Sequence, residues 1–280
     1  MPNHLVLIVM DSCRYDSFLR ARTPNLDRLG ATHRRFSYAS WTAPSHSVLL
    51  MGIMPHASPA GTFASEVYKH EFGHWMRRLG VERMSFATFV PHLSLPKVLR
   101  ELGYTTVGRV SLPVLNQHTA YSSYFDDYRL MDDHNDFAGM VEEATFPVER
   151  SMFYFFNLGE THYPYMLTGL PKVSGVHGVF KAQGRGDAGD DGEARAFFGQ
   201  SEMARFHGQQ ARCVEYIDGL FGELLEKAPP NTYFVVTADH GELFGEDGFF
   251  GHGPIMHAKC FEVPYLEGPH PGSASSLPPM

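Results

Sequence analysis

Two apolar runs, one near each end of the chain, lead into acidic residues. Residues 5–10 are an almost continuous apolar run followed by Asp11, and residues 233–237 are a β-branched and aromatic run followed closely by Asp239 and His240. Such runs are typical of buried parallel strands in a sheet that helices cover. Because sites in open α/β sheets lie beyond the carboxyl ends of strands, these three polar residues are predicted to meet there.

Helix and strand patterns alternate between the two runs. Residues 96–103 form an amphipathic helix pattern closed by a glycine, residues 104–107 and 151–156 are strand patterns, and residues 201–227 carry a long apolar helix face. The alternation predicts an α/β fold: a doubly wound, mostly parallel sheet with helices on both faces. The chain is long enough to bury the core of one such domain.

The predicted domain has insertions and a tail. We assign residues 1–268 to a single domain, with substrate-facing insertions near residues 55–95 and 165–200, and residues 269–280 to a flexible C-terminal tail. Residues 183–193 are rich in glycine and charge, so we expect them to be mobile and to act as a lid over the site.

Composition narrows the classes of partner. The formal net charge of −8 gives no reason to expect nucleic acid or an acidic membrane surface as a partner. The three cysteines are too few and too scattered for a disulfide framework or a cysteine zinc site. The first apolar run is too short for a secretion signal, and no stretch reaches the roughly 20 apolar residues of a transmembrane helix. We therefore expect a cytoplasmic protein without a membrane partner. The net charge does not exclude a small anionic substrate, because bound metal ions would dominate the local field, and a homo-oligomer is compatible with the sequence.

The residue types at the strand ends favour a metal ion. An Asp and a His, with His252 close behind in the sequence, suit zinc or manganese better than calcium, which prefers oxygen ligands alone. Thr42 stands near the start of a third element, a turn that leads into a helix pattern. Beside metal ions a threonine hydroxyl can become a nucleophile, whereas without them Thr42 would be interpreted as an ordinary helix cap.

Five short motifs follow one another along the chain. They are Asp11, Thr23-Pro24-Asn25-Leu26-Asp27-Arg28-Leu29, Thr42-Ala43-Pro44-Ser45, Asp239-His240-Gly241-Glu242 and Gly251-His252-Gly253. In this order they resemble the alkaline phosphatase superfamily, specifically its sulfatase-like branch, over most of the chain. The resemblance implies the α/β core of that superfamily and ester chemistry at a divalent metal centre.

Two positions depart from the sulfatase pattern. Sulfatases of this kind have a Cys or Ser that is oxidised to formylglycine where this chain has Thr42, whose extra methyl group would give a ketone rather than an aldehyde. Their second acid of an Asp-Asp pair is replaced by Ser12. The resemblance therefore implies a phosphatase, phosphodiesterase, phosphonate hydrolase or phospho-transferase with a threonine alkoxide as nucleophile.

The same resemblance implies two metal ions. One ion would be held by Asp11, Thr42, Asp239 and His240. The second would be held by His252 and a middle loop, in which His162 resembles the sulfatase His-x-Pro-Tyr segment and Glu160 is the nearest acid. Zinc or manganese is the expected metal.

Three further side chains are candidates for substrate binding. His46 stands in the place of a sulfatase arginine, Arg14 follows the first strand, and His257 follows His252. The alternatives are a structural pairing of Arg14 with Asp16 and a structural role for His257. Residues 132–136 are rich in acids but have no ligand spacing tied to a strand end, and predict a solvated loop.

Two hypotheses from other classes stay open. The segment from His70 to His74 matches the zinc-protease pattern His-Glu-x-x-His, with an insertion helix over the pocket as its milder interpretation. A non-catalytic metal-binding relative is the other, since we expect no C-terminal subdomain of the kind that family members normally carry after residue 265. The sequence thus predicts a metal-dependent hydrolase of a phosphorus ester that uses Thr42, with transfer on the same site as the nearest alternative.

Overall fold

The computed structural model of the protein describes residues 2–52, 62, 64–80, 82–83, 94–165, 167, 180–181, 199–253 and 255–273. Its strands are β1 (His4–Met10), β2 (His33–Phe36), β3 (Tyr104–Val110), β4 (Asp127–Leu130), β5 (Ser151–Leu158), β6 (Phe180–Lys181), β7 (Thr232–Ala238), β8 (Leu243–Phe244), β9 (Phe249–Gly251) and β10 (Glu262–Pro269). Its helices are α1 (Tyr15–Arg20), α2 (Thr42–Met51), α3 (Ala64–Leu79), α4 (Leu95–Glu101), α5 (Phe137–Glu143), α6 (Gln200–Lys227) and α7 (Ala258–Phe261).

Strand β1 lies at the centre of the main sheet. In the described part of the chain this sheet has the order β2-β10-β7-β1-β5-β3-β4. The five strands from β7 to β4 pair in parallel, whereas β10 and β2 add an antiparallel edge. A central strand between two parallel neighbours has neither face exposed to solvent, which explains the continuous apolar run of β1. The predicted α/β fold is confirmed.

Helices bury both faces of this sheet. Successive residues of β1 point to opposite sides, so Ile8 packs in the cluster that contains residues of α5 and α6, whereas Val9 packs in the cluster that contains residues of α2 and α4. Each such fully buried aliphatic side chain contributes about 1.5–3 kcal/mol relative to exposure. Two apolar layers therefore hold the strand ends rigidly, and the site is built on those ends.

A small second sheet, with the order β6-β9-β8, lies beside the first. Its β8–β9 hairpin follows β7 directly and packs against α6 through Phe206, Phe244 and Phe250. The hairpin carries the chain from the end of β7 to His252. It thereby brings the second predicted histidine back to the sheet edge.

The structure extends two strands beyond their predicted ends. β3 continues to Val110, and β5 includes Asn157 and Leu158, which the sequence pattern placed in the middle loop. The predicted flexible tail is ordered at its start, because β10 runs to Pro269 and the His270 amide donates to the Thr232 carbonyl at 2.7 Å.

Several of the predicted segments, including the insertion near residues 165–200, lie wholly or partly outside the described residues. The proposed lid at residues 183–193 and residues 274–280 of the tail are outside them, and of the insertion near residues 55–95 the main described element is α3. Within the described chain, no helix combines the length and apolar character needed to cross a bilayer.

Candidate metal centre

The ends of β1 and β7 bring Asp11, Asp239 and His240 together. The two strands are parallel neighbours, with Met10 opposite Ala238, so the next residues of both leave the sheet side by side. One possible ligand atom from each of the three side chains lies within 4.8 Å of the others, and all three residues are buried. We call these three residues the inner cluster.

Thr42 faces the inner cluster from the first position of α2. Its Oγ1 lies 3.3 Å from Nε2 of His240. Trp41, not Thr42, occupies the N-cap of the helix, so the interpretation of Thr42 as an ordinary cap is wrong. The start of a helix favours a negative charge, which suits both an alkoxide and an anionic ester at this hydroxyl.

The backbone after β1 fixes the two carboxylates. Ser12 adopts a left-handed conformation (φ 61°), uncommon for a residue other than glycine. In this conformation its amide donates to Oδ1 of Asp239 at 3.1 Å and its hydroxyl donates to Oδ1 of Asp11 at 3.1 Å. Gln210 of α6 donates to the carbonyls of Ser12 and Thr161 at 2.9 and 3.0 Å. The strained residue is therefore held from several sides.

The His240 imidazole is arranged as a metal ligand. Its Nδ1 donates to the Gly241 carbonyl at 2.9 Å, which leaves Nε2 as the nitrogen with a lone pair. Burial lowers the pKa of His240 to about 3, and a nearby His252 adds to this effect. The next residue is glycine for reasons of space, because a Cβ at Gly241 would overlap the carbonyl oxygen of Lys259.

Two more histidines extend the centre outward, and we call them the outer histidine pair. The ring centroids of His162 and His252 lie 5.0 Å apart, and those of His252 and His240 lie 4.4 Å apart. In each ring of the pair Nδ1 meets an oxygen: the Tyr163 carbonyl at 2.6 Å for His162, and Oε1 of Glu242 at 3.0 Å for His252. Both rings thus direct Nε2 away from these anchors, as is usual for metal-binding histidines.

Glu242 has a role that the sequence did not assign. It is buried, and it accepts a hydrogen bond from the Tyr165 hydroxyl as well as from His252. Burial lowers the pKa of His252, but its hydrogen bond to Glu242 and the charges of Glu242, Asp11 and Asp239 together raise it by more, so the net shift is upward. The carboxylate of Glu242 therefore orients the outer histidine from behind.

Glu160 lies elsewhere. Its Oε1 accepts a hydrogen bond from the Phe137 amide at 2.8 Å, at the start of α5, and the group of possible ligands found among the described residues does not include it. Burial raises the pKa of Glu160 to about 7. The sequence made it a candidate because it is the nearest acid to His162, but the loop turns its carboxylate toward α5.

Two residues near the centre were not predicted. His134 belongs to the predicted solvated loop, yet its ring packs edge-on against His162 with centroids 5.4 Å apart. Asn157 is buried at the end of β5 and donates from Nδ2 to Oδ2 of Asp11 at 3.2 Å. A polar residue near the end of an apolar strand pattern was the available signal for Asn157. Nothing in the sequence around His134 indicated its place, because a loop contact between distant segments creates it.

The three predicted substrate-binding residues have protein partners. Arg14 is buried and pairs with Asp16 and Glu246, each at 2.6 Å, so the structural alternative for Arg14 holds in this structure. The His257 side chain caps α7 by accepting from the Lys259 amide at 3.1 Å. His46 is fully buried behind the inner cluster, with Nδ1 3.4 Å from Oδ2 of Asp239.

The zinc-protease motif forms a helix but no cluster. His70 and His74 lie on exposed positions of α3, and Nδ1 of His70 is 3.7 Å from Oε1 of Glu71. The opposite face of α3 packs Val67, Phe72 and Trp75 against the apolar cluster beside α2. In the described residues, the three-membered group of possible metal ligands is the inner cluster and not this motif.

The inner cluster fits a divalent cation. Oδ2 of Asp239 is buried and has no hydrogen-bond partner among the described residues, and a bound cation would satisfy it. Two carboxylates, one imidazole and one hydroxyl form a mixed oxygen and nitrogen donor set, which suits zinc or manganese better than calcium. Asp11, Asp239, His240 and Thr42 are therefore chemically equipped to hold such an ion.

Solved structures share this fold. A zinc complex of the C-terminal periplasmic domain of EcEptC from Escherichia coli superimposes with a TM-score of 0.59 at 16% identity, covering 96% of this chain and 73% of that chain. The C-terminal periplasmic domain of phosphoethanolamine transferase EptC from Campylobacter jejuni superimposes with a TM-score of 0.56 at 13% identity, covering 96% of this chain and 80% of that chain. BT1596, a 2-O GAG sulfatase, superimposes with a TM-score of 0.58 at 13% identity, covering 96% of this chain and 64% of that chain. At these identities the likeness shows the fold alone.

No curated protein matches the sequence significantly. The model of the sulfatase family, in contrast, matches residues 3–267. This range includes every strand end that builds the inner cluster, as well as Thr42 and the outer histidine pair. The chain therefore belongs to the sulfatase family, whose members are enzymes that act on sulfate or phosphate esters.

Proposed function

We propose that this protein is a metal-dependent enzyme that cleaves a phosphorus ester with Thr42 as the nucleophile. The observation that carries the proposal is the position of the Thr42 hydroxyl, 3.3 Å from Nε2 of His240, at a helix start and beside two buried carboxylates. A threonine cannot become formylglycine, so the hydroxyl itself has to attack. The substrate is a small phosphomonoester, phosphodiester or phosphonate.

The ions are zinc or manganese. Asp11, Asp239, His240 and Thr42 would hold the first, and the outer histidine pair would hold the second. Bound divalent cations lower the pKa of a coordinated hydroxyl and neutralise charge on the ester oxygens. Glu242 keeps His252 oriented, and Ser12 keeps both inner carboxylates in place.

Charge supports two ions rather than one. The centre contains the carboxylates of Asp11, Asp239 and Glu242. The positive charge of Arg14 does not offset them, because Arg14 forms ion pairs with Asp16 and Glu246. With neutral imidazoles, three carboxylates and one divalent ion leave a net negative site, which would repel an anionic ester. Two divalent ions make it net positive, so we expect two for substrate binding.

The reaction has two displacement steps. Thr42 Oγ1 loses its proton to solvent and forms a bond to phosphorus, while the bond from phosphorus to the leaving oxygen breaks. Water then attacks the same phosphorus, and the bond between phosphorus and Thr42 Oγ1 breaks. The phosphorus-containing product leaves, and Oγ1 regains a proton. The start of α2 lies next to the developing charge and stabilises it.

A panel of chromogenic esters tests this function. Purified protein supplied with zinc or manganese is expected to turn over a phosphate monoester, a phosphate diester or a phosphonate ester faster than a sulfate ester. Thr42→Ala is expected to lower kcat by roughly 10⁴-fold or more, as for other removed nucleophiles. Thr42→Ser keeps a hydroxyl and serves as the matched control, with a much smaller loss. Turnover that survives in Thr42→Ala would contradict the proposal.

Transfer to an acceptor alcohol is the alternative on the same site. It is favoured by the fold likeness to a phosphoethanolamine transferase, since a phosphorylated Thr42 would serve either acceptor. The two are separated by product analysis with added alcohols. Product that contains the alcohol, formed faster than free phosphate, would indicate a transferase.

A further inference from the structure

His46 and Asn157 form a buried link behind the inner cluster. Both residues have 0% exposed surface. His46 lies on α2 one turn after Thr42, and Asn157 lies at the carboxyl end of β5, next to β1. Neither side chain can contact solvent or a substrate, so their contacts define what they do.

The orientation of the Asn157 amide follows from its partners. Its Oδ1 accepts hydrogen bonds from the backbone amides of Ser111 and Leu112 at 3.2 and 3.3 Å. Since backbone amides only donate, the oxygen must be on that side. The amide nitrogen therefore faces the centre, where it lies 3.2 Å from Oδ2 of Asp11 and 3.3 Å from Nε2 of His46.

The tautomer of His46 follows from the same argument. Its Nδ1 lies 3.0 Å from the Thr42 carbonyl, which only accepts, so Nδ1 carries the hydrogen. Its Nε2 faces the Asn157 nitrogen, which only donates, so Nε2 carries a lone pair. The His46 and Phe155 rings pack edge-on, with their centroids 5.9 Å apart.

The link reaches three of the four residues that would hold the first ion. Asn157 contacts Asp11, His46 contacts the backbone of Thr42, and Nδ1 of His46 lies 3.4 Å from Oδ2 of Asp239. Its far end is fixed to the backbone at the end of β3. The ends of four strands (β1, β3, β5 and β7) and the first turn of α2 are thereby joined through two side chains.

We propose that His46 and Asn157 are a positioning bridge that sets the orientation of Asp11, Asp239 and Thr42 for the first ion. The inference rests on the proposed metal centre. Since Asn157 is held by two backbone amides and His46 by the Thr42 carbonyl, the pair restricts how the carboxylates of Asp11 and Asp239 can turn.

Metal binding without substrate tests the bridge. His46→Leu removes both hydrogen bonds of the ring, and Asn157→Leu removes both donors of the amide at similar volume. Each is expected to raise the dissociation constant for zinc about 10–100-fold, as for other residues that orient metal ligands. His46→Asn keeps a donor near the Nδ1 position and should recover part of the loss. In the cobalt-substituted protein, the visible absorption bands should shift in both leucine variants.

His4 provides the matched control. It is also buried, accepts a hydrogen bond from the Met152 amide at 3.2 Å and packs edge-on against Phe146, but it lies at the opposite end of β1. His4→Leu should lower the melting temperature without changing zinc affinity or the cobalt spectrum.

The outcomes separate the two proposals. Folded His46→Leu and Asn157→Leu proteins that bind zinc within twofold of the parent, with unchanged cobalt bands, would overturn the bridge and leave the proposed function intact. A parent protein that binds no zinc, manganese or cobalt would overturn both. Loss of affinity in the His4→Leu variant as well would show a general effect of lost stability and would also overturn the bridge.

Discussion

The two halves of the metal centre are built in different ways. The inner cluster stands on the ends of two central strands. There, sheet register and two apolar layers fix the backbone independently of the polar side chains of the site. The outer histidine pair stands on a loop and after a hairpin, and in each of its rings Nδ1 is held against an oxygen. We infer that loss of an inner ligand is the most damaging single change, and that loss of an orienting contact is less damaging in either half.

The largest effect is expected for an inner ligand. Asp239→Asn keeps the shape of the side chain but removes its charge, so the first ion should be lost and turnover of the preferred ester should fall by about 10³-fold or more. Metal content after dialysis and kcat measured on the same sample check this. If Asp239→Asn retained the full metal content and more than a tenth of the activity, the inner cluster would not be the primary metal site.

A smaller effect, confined to the outer half, is expected for Glu242. Glu242→Gln cannot accept from both His252 and Tyr165 as the carboxylate does, so His252 should lose its fixed orientation. We expect turnover to fall about 10–100-fold while one tightly bound ion remains. Glu246→Gln, in the same hairpin but paired with Arg14, is the control and should leave turnover nearly unchanged. Equal losses in both variants would mean that the hairpin, not the ligand orientation, was disturbed.

The smallest effect on catalysis is expected beyond both halves, at Asp16. Burial raises the pKa of Asp16, but hydrogen bonds from His207 and Arg14 and their charges lower it by more, to well below the usual range. A depressed folded-state pKa stabilises the protein above the unfolded-state value of about 3.9, and this contribution is lost as the pH falls through the folded-state pKa.

Asp16→Asn should therefore lower the free energy of unfolding by about 1.5–3 kcal/mol at pH 7 and by progressively less below pH ~4. Urea unfolding of both proteins at several pH values measures the difference. A difference that did not shrink in acid would show that packing rather than charge links Asp16 to Arg14.

The same contrast explains what the sequence could predict. Asp11, Asp239 and His240 were found because an apolar strand pattern locates its own end, and parallel strands end at the same edge of a sheet. The family motifs then assigned roles to Thr42 and His252 and added His162. The predicted β1 and β7 agree with the observed strands to within about one residue at each end.

The remaining parts depend on contacts between distant segments. Glu160 is close to His162 in sequence, but its carboxylate serves the start of α5. The carbonyl of His134 lies against Gly159, where any side chain would overlap that carbonyl. This contact between distant segments places the His134 ring beside His162. Such contacts leave no periodic trace in the sequence, so neither the loss of one ligand candidate nor the arrival of the other histidine could be predicted.

The central claim is that a divalent ion sits at the ends of β1 and β7 beside Thr42. Crystals grown with zinc and measured on both sides of the zinc absorption edge test this most directly. We expect an anomalous peak about 2.0–2.2 Å from ligand atoms of Asp11, Asp239 and His240, with Thr42 Oγ1 next to it. A strong peak between His70 and His74 with none at the inner cluster would contradict it.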